Sequence, residues 1–229
     1  LNLPEILPIL AEAARESDDP LVRVNAVTAL GAAGPQAAGA APALTAAAAD
    51  PRAEPLLRLR AVEALGQLGP GARSAAPALA DLARNADDPR LSARAIETLG
   101  RLGPGARGAL PALLAILDGT RPYAGFLAAE ALGKFGPAAV PGLTRALRSP
   151  NPMTRFHAAG ALFDLGPTAR TAAPALARAL ADPDPQVGLK AAEALARRGK
   201  AAGAALRQAA QSADPVARER ARSALKRIR

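Results

Sequence analysis

Residues 182–199 read DPDPQVGLKAAEALARRG, and the same grammar recurs along the whole chain. Asp184 precedes Pro185, Ala191 follows that proline by six residues, Leu195 by ten and Gly199 by fourteen. Each choice has a local physical cause. A short oxygen-bearing side chain caps the free N–H groups that open a helix. Proline in the first turn loses no hydrogen bond and presets φ. Positions six and ten are one helical turn apart, so alanine and leucine share a face. Glycine after the last turn supplies a left-handed cap. The stretch predicts one helix, termed helix A.

Proline recurs in register at Pro20, Pro55, Pro89, Pro122, Pro152, Pro185 and Pro215. Alanine stands six residues after every one: Ala26, Ala61, Ala95, Ala128, Ala158, Ala191 and Ala221. Leucine stands ten after: Leu30, Leu65, Leu99, Leu132, Leu162, Leu195 and Leu225. Six of the seven segments close with glycine, at Gly34, Gly69, Gly103, Gly136, Gly166 and Gly199. Asp19, Asp88, Asn151, Asp184 and Asp214 precede the proline as caps. The intervals between prolines run from 30 to 35 residues, the period of a helical repeat array.

A second pattern, Pro-x-Leu, lies between the A segments at Pro8–Leu10, Pro42–Leu44, Pro77–Leu79, Pro111–Leu113, Pro141–Leu143 and Pro174–Leu176, with Ala204–Leu206 as a weaker copy. Each opens about ten helical residues, termed helix B. Short connections make A and B antiparallel neighbours, and one pair cannot bury its own apolar face, so stacked pairs must form the core. The array begins with a B helix at about 4–17 and ends with an A helix at about 215–228. The fold class is therefore all-α: an α-α superhelix of about seven helix pairs, roughly 13–14 helices, in one domain over residues 1–229. The last helix, PVARERARSALKRIR, is polar enough to serve as a solvent-facing cap.

Residues 182–199 and RLRAVEALGQLGPGARSAAPALADLARNADDP at 58–89 resemble HEAT repeats of the bilin-lyase type, and the resemblance covers essentially the whole chain. It implies a HEAT-like solenoid with B helices on the concave side. It also implies arginine three residues after the proline, pairing with acidic residues between repeats. Arg23, Arg58, Arg155 and Arg218 keep that arginine, whereas Ser92, Gly125 and Gly188 replace it. These arginines are read as structural. Relatives that hydroxylate a modified lysine hold iron on several His-Glu pairs, whereas this chain has a single histidine, His157. DNA glycosylases of similar fold rely on aromatic pockets including tryptophan, which is lacking here. A bilin lyase would need more aromatic lining than five aromatics in 229 residues provide.

Composition narrows the chemistry further. No cysteine occurs, which removes disulfides, zinc-thiolate sites and thiol catalysis and leaves the compartment open. Asp18–Asp19 and Asp87–Asp88 sit where caps are needed, and the GPGAR stretches at 69–73 and 103–107 are interhelix turns. No apolar run approaches the ~18–20 residues of a transmembrane helix, and no signal peptide is visible. No metal, cofactor or catalytic residue is assigned. The excess of arginine over lysine, with abundant Ala, Gly and Pro, matches the codon usage of a high-GC bacterium. A chain starting at Leu1 is expected to be a piece of a longer protein.

Two asymmetries single out candidate binding residues. Residues 1–185 hold 18 basic and 17 acidic residues, whereas 186–229 hold 11 and 3. Arg197, Arg198, Lys200, Arg207, Arg218, Arg220, Arg222, Lys226, Arg227 and Arg229 concentrate positive charge there, either as a self-repelling cap or as an anion-binding end. All aromatics lie between Tyr123 and Phe163, with the only Met and His, Met153 and His157. Column comparison places Phe126, Phe135 and Phe156 in the core and His157 on the polar surface. Tyr123, Met153, His157 and Phe163 form a candidate contact patch, since aromatics and Met are enriched at interface hot spots. Among the polar B positions Asp81, Arg84, Asp118, Arg145, Arg148 and Arg178, the last three make a basic stripe. The reading is a monomeric, non-catalytic scaffold for a protein partner. Nucleic-acid or other polyanion binding through the basic end is the alternative, and an enzyme or enzyme subunit such as a chromophore lyase is the third class.

Overall fold

The computed structural model describes residues 2–228, and fourteen α-helices joined by six 3-10 segments occur among them. The A helices are α2 (Pro20–Ala32), α4 (Pro55–Gln67), α6 (Pro89–Leu102), α8 (Pro122–Lys134), α10 (Pro152–Leu165), α12 (Pro185–Arg197) and α14 (Pro215–Arg227). Every one starts on the proline of its repeat. The B helices are α1 (Leu3–Glu16), α3 (Ala41–Ala49), α5 (Ala76–Asn85), α7 (Leu110–Leu117), α9 (Val140–Ala146), α11 (Ala173–Ala179) and α13 (Gly203–Ala209).

The five caps work as the sequence requires. Asp19 accepts from the Leu21 N–H at 2.8 Å, Asp88 from Arg90 at 2.8 Å and Asn151 from Met153 at 3.0 Å. Asp184 and Asp214 accept from Gln186 and Ala217, both at 2.8 Å. A sixth device went unpredicted: Asn2 and Glu5 cap α1 reciprocally, so that helix starts before its Pro-x-Leu pattern and holds Pro8 inside it.

The interhelix connections differ from plain turns. Four are seven-residue 3-10 segments, Gly34–Ala40, Gly69–Ala75, Gly103–Ala109 and Gly166–Ala172, and two have four residues, Gly136–Ala139 and Gly199–Ala202. The short ones fall in the two 30-residue repeats. Removing three residues removes one full 3-10 turn, so the following B helix keeps its phase. The six closing glycines all have positive φ, 52° to 67°. The expected left-handed cap needs correction at Gly103 and Gly166, where ψ is −132° and −131°. That pair of angles is the first corner of a type II′ turn. Proline follows both glycines and excludes helical backbone before it.

The chain falls into two compact units, Leu1–Leu113 and Leu114–Arg229. In the first, α2, α4 and α6 pack side by side, backed by α1, α3 and α5. In the second, α8, α10, α12 and α14 form the row, backed by α9, α11 and α13. All seven alanines of the sixth position are buried, with the leucines from Leu30 to Leu195 and the B-helix leucines from Leu44 to Leu206. Leu10 and Leu225 are half-buried, because α1 and α14 have a neighbouring repeat on one side only.

Position three ties each A helix to the carbonyl end of a B helix. Arg23 Nε donates to Ala14 O at 3.2 Å, Arg58 Nε to Ala48 O at 3.1 Å, and Ser92 Oγ to Ala83 O at 2.7 Å. Arg218 Nη1 donates instead to Ser212 O and Ala213 O, in the loop between α13 and α14. The expected pairing with acids between repeats is thus corrected: among the described residues only Arg155 of the four follows it, holding Asp182 at 2.8 and 2.9 Å. Exposed C-terminal carbonyls are what these donors satisfy. Where the position is glycine, the next repeat supplies the donor. Thr154 Oγ1 reaches Leu117 O at 3.2 Å beside Gly125, and Arg220 Nη1 reaches Leu180 O at 2.6 Å across Gly188.

Candidate functional site

Unit 114–229 carries most of the candidate residues, on two faces. On the A-helix side, Tyr123 is 65 % exposed and Met153 48 %. Phe126, expected in the core, is 45 % exposed, and Phe156 is half-buried. Their column sits at the edge of the helix, where Val24 and Leu59 are only half-buried too, so a larger ring must lean outward. Phe135 is buried beside the shortened connection, as expected.

His157 is the opposite correction. It was read as polar surface but is only 9 % exposed. It packs against position 125 of α8, where a Cβ would lie 3.8 Å from His157 Nδ1, an ordinary contact distance. The Phe126 and Phe156 ring centroids stand 6.0 and 5.9 Å from the imidazole. Burial holds its pKa below the ordinary histidine value. Phe163 is half-buried under two cations, Arg197 at 4.5 Å and Lys190 at 5.6 Å from its ring centroid. The contact patch therefore reduces to Tyr123 and Met153, to which the structure adds Phe126 and Leu189. Leu21 and Leu56 are also exposed in the same column as Tyr123, so this face is a general property of the repeat.

The basic end is also redistributed. Arg198 is buried and donates to Ala169 O at 3.2 Å, to Leu162 O at 2.8 Å and to Ala194 O. Desolvation lowers its pKa to about 10, still charged at neutral pH. Arg198 is therefore a structural strut and no anion ligand. Arg220 is spent on Leu180 O, Arg218 on backbone carbonyls and Arg197 on Phe163. Lys200, Arg207, Arg222, Lys226 and Arg227 remain exposed, and Arg229 lies outside the described residues.

The B-helix side is built differently. Alanines repeat every four residues from α11 into the turn after it (Ala173, Ala177, Ala181) and from the preceding 3-10 segment into α13 (Ala201, Ala205, Ala209). Facing rows of methyl groups leave a groove of about 930 Å3. Arg170 and Arg178 stand on its lining, with Gln208 and no acidic residue. Arg178 also lines a second groove of about 380 Å3 with Arg148, where Asp182 is the acid and is held by Arg155. Arg145 is exposed but lines neither groove. Arg145, Arg148, Arg170 and Arg178 take part in no ion pair among the described residues. Charge on the B pattern singles out Arg148 and Arg178 but not Arg170, which lies in the 3-10 segment before α11 and outside that pattern. The groove itself was signalled only by runs of alanine.

Two further observations bound the chemistry. Among the described residues no group of three or more His, Cys, Asp or Glu could hold a metal ion. No helix there is long and apolar enough to cross a membrane.

Among curated proteins, none matches the sequence. Several solved structures share its architecture. An archaeal HEAT-like repeats protein from Thermococcus onnurineus NA1 gives a TM-score of 0.57 at 14 % identity, over 97 % of this chain and 96 % of that one. The complex of CpcE and CpcF of phycocyanin lyase from Nostoc sp. PCC7120 gives 0.52 at 25 %, over 97 % and 94 %. A structure concerning microtubule plus end tracking by XMAP215, CLIP-170 and EB1 gives 0.56 at 20 %, over 78 % and 87 %. The family model for HEAT repeats matches residues 52–124 and 110–171, together more than half of the sequence, and the chain belongs to the HEAT-repeat family.

Proposed function

We propose that this chain is a non-catalytic scaffold that binds a polypeptide partner along the B-helix side of unit 114–229. The observation that carries the reading is the α11/α13 groove, an apolar floor of alanine with two arginines and no acid on its lining. A concave, mostly apolar trough with a few placed polar groups is how proteins hold a ligand segment. The HEAT-repeat solenoid supports the same reading, as a fold typical of protein-interaction scaffolds, and one similar structure is of a complex of two proteins.

The test uses the full chain with Ala177→Trp, which fills the groove while leaving the buried columns alone. A protein that co-purifies with the parent chain is expected to be lost with Ala177→Trp and kept with Tyr123→Ala. Retention of every partner by Ala177→Trp would contradict the groove as the recognition surface.

A second reading has one observation in its favour, the exposed cations Lys200, Arg207, Arg222, Lys226 and Arg227. Anisotropy of labelled random DNA and RNA, at low and physiological salt, tests it. Binding confined to low salt assigns these cations to solvation of the end helix; binding that persists makes them a polyanion site.

A further inference from the structure

From the spacing of cations on the groove we infer its occupant: an extended acidic segment of the pattern Glu-x-Leu-x-Glu. The inference rests on the scaffold reading and names the partner chemistry for that same groove. Arg170 lies in the 3-10 segment before α11 and Arg178 in its last turn, both exposed. Three steps of 3-10 rise and five of α rise set them roughly 13 Å apart along the groove. Four residues of extended chain span roughly 13 Å, and residues i, i+2 and i+4 point to one side. Two carboxylates four residues apart therefore meet the two guanidinium groups, each able to take a carboxylate through paired N–H donors. The residue midway faces the floor of Ala173, Ala177, Ala201 and Ala205, whose methyl groups leave room for a branched apolar side chain. Gln208 lies on the same lining and offers a donor and an acceptor to the segment's backbone.

Nucleic acid fits this groove poorly. Its lining holds no aromatic side chain on which a base could stack, and its floor is apolar where a phosphate backbone needs cations. The phenylalanine rings that Lys190 and Arg197 cover, Phe156 and Phe163, belong to the A helices and not to this lining.

The experiment titrates the full chain into a fluorescein-labelled Ser-Glu-Ala-Leu-Ala-Glu-Ser peptide and reads anisotropy at physiological salt. Saturable binding is expected, at least tenfold weaker for the peptide with both Glu replaced by Gln. Arg170→Glu and Arg178→Glu should each weaken binding at least tenfold, and Arg178→Lys, which keeps the charge, should weaken it less. Lys226→Glu/Arg227→Glu should leave it unchanged. Equal binding of the Gln peptide, or indifference to Arg170→Glu and Arg178→Glu, would overturn the acidic assignment. Displacement by random DNA together with loss in Lys226→Glu/Arg227→Glu would overturn it in favour of the basic end. The two readings fail separately: if Ala177→Trp loses a co-purifying protein while the parent chain ignores the peptide, the groove stands as a site for another chemistry and the acidic assignment falls. If Ala177→Trp loses nothing, the groove is no site at all.

Discussion

Unit 1–113 and unit 114–229 are built from the same columns, yet they dispose of their charges differently. In the first, the A helices carry a ladder in which Arg60 holds Glu63 at 2.8 Å, and Arg94 holds both Glu63 at 3.3 Å and Glu97 at 2.8 Å. Its B-helix cation Arg84 holds Asp81 at 2.6 Å. Its own groove, about 660 Å3 between α1 and α3, has Glu12 and Arg15 on the lining, opposite in sign. In the second unit, the ladder column holds His157 and Lys190 beside phenylalanine rings, with one ion pair, Lys190 to Glu193 at 2.7 Å, and among the described residues the B-helix arginines take part in no ion pair. A neutralised surface serves solubility and a weakly stabilising network; unneutralised arginines over an apolar floor are available to a partner. The difference supports the proposed placement of recognition in the second unit.

The comparison can be broken at its foundation by the shared core. Leu99→Ala in the first unit and Leu162→Ala in the second remove fully buried leucines from the same column. Each should cost about 2–5 kcal/mol in denaturant unfolding. A cost below 1 kcal/mol in either would show that the two units do not pack alike. Arg198→Ala comes next, at about 3 kcal/mol, because it strips donors from buried carbonyls; Arg197→Ala, its exposed neighbour, should cost under about 1 kcal/mol. Equal effects would contradict the burial of Arg198.

Protonation separates the units in a further way. His157 is the only histidine, and its folded pKa is depressed by burial. Neutral imidazole is favoured by the folded state, so its contribution is full above the unfolded value of 6.5 and is lost as pH falls through the folded pKa. Thermal unfolding between pH 8 and 5 should show destabilisation on acidification that His157→Gln reduces. A pH dependence unchanged by that substitution would mean the imidazole is solvated. Smallest of all, Glu63→Gln should cost about 0.5 kcal/mol and Phe163→Leu about 0.5–1 kcal/mol, the first fading with added salt and the second persisting less affected.

Much of this architecture was legible beforehand, for stated reasons. Proline, alanine and leucine at positions zero, six and ten are demanded by helix geometry within one repeat, and every A helix begins where its proline stands. Properties set by two repeats together were not legible. His157 is buried against position 125 of the preceding A helix, and Arg220 bonds Leu180 because position 188 has no side chain in the way. Phe126 was misplaced for the converse reason, since volume alone does not say which edge of a helix a ring overhangs. Among the candidate site residues, Arg148 and Arg178 stand out by charge alone, whereas Arg170 and the groove depend on the 3-10 path and on the small side chains of alanine. A vacancy leaves no motif.

The central claim is that the α11/α13 groove, and not its counterpart between α1 and α3, receives the partner. Calorimetric titration of the Glu-x-Leu-x-Glu peptide into three full-length proteins, the parent, Ala177→Trp and Ala43→Trp, tests it most directly, since Ala43 lines the first groove and Ala177 the second. The account predicts that Ala177→Trp abolishes the binding heat while Ala43→Trp retains the affinity of the parent. Binding that survives Ala177→Trp, or that is lost with Ala43→Trp alone, would contradict it.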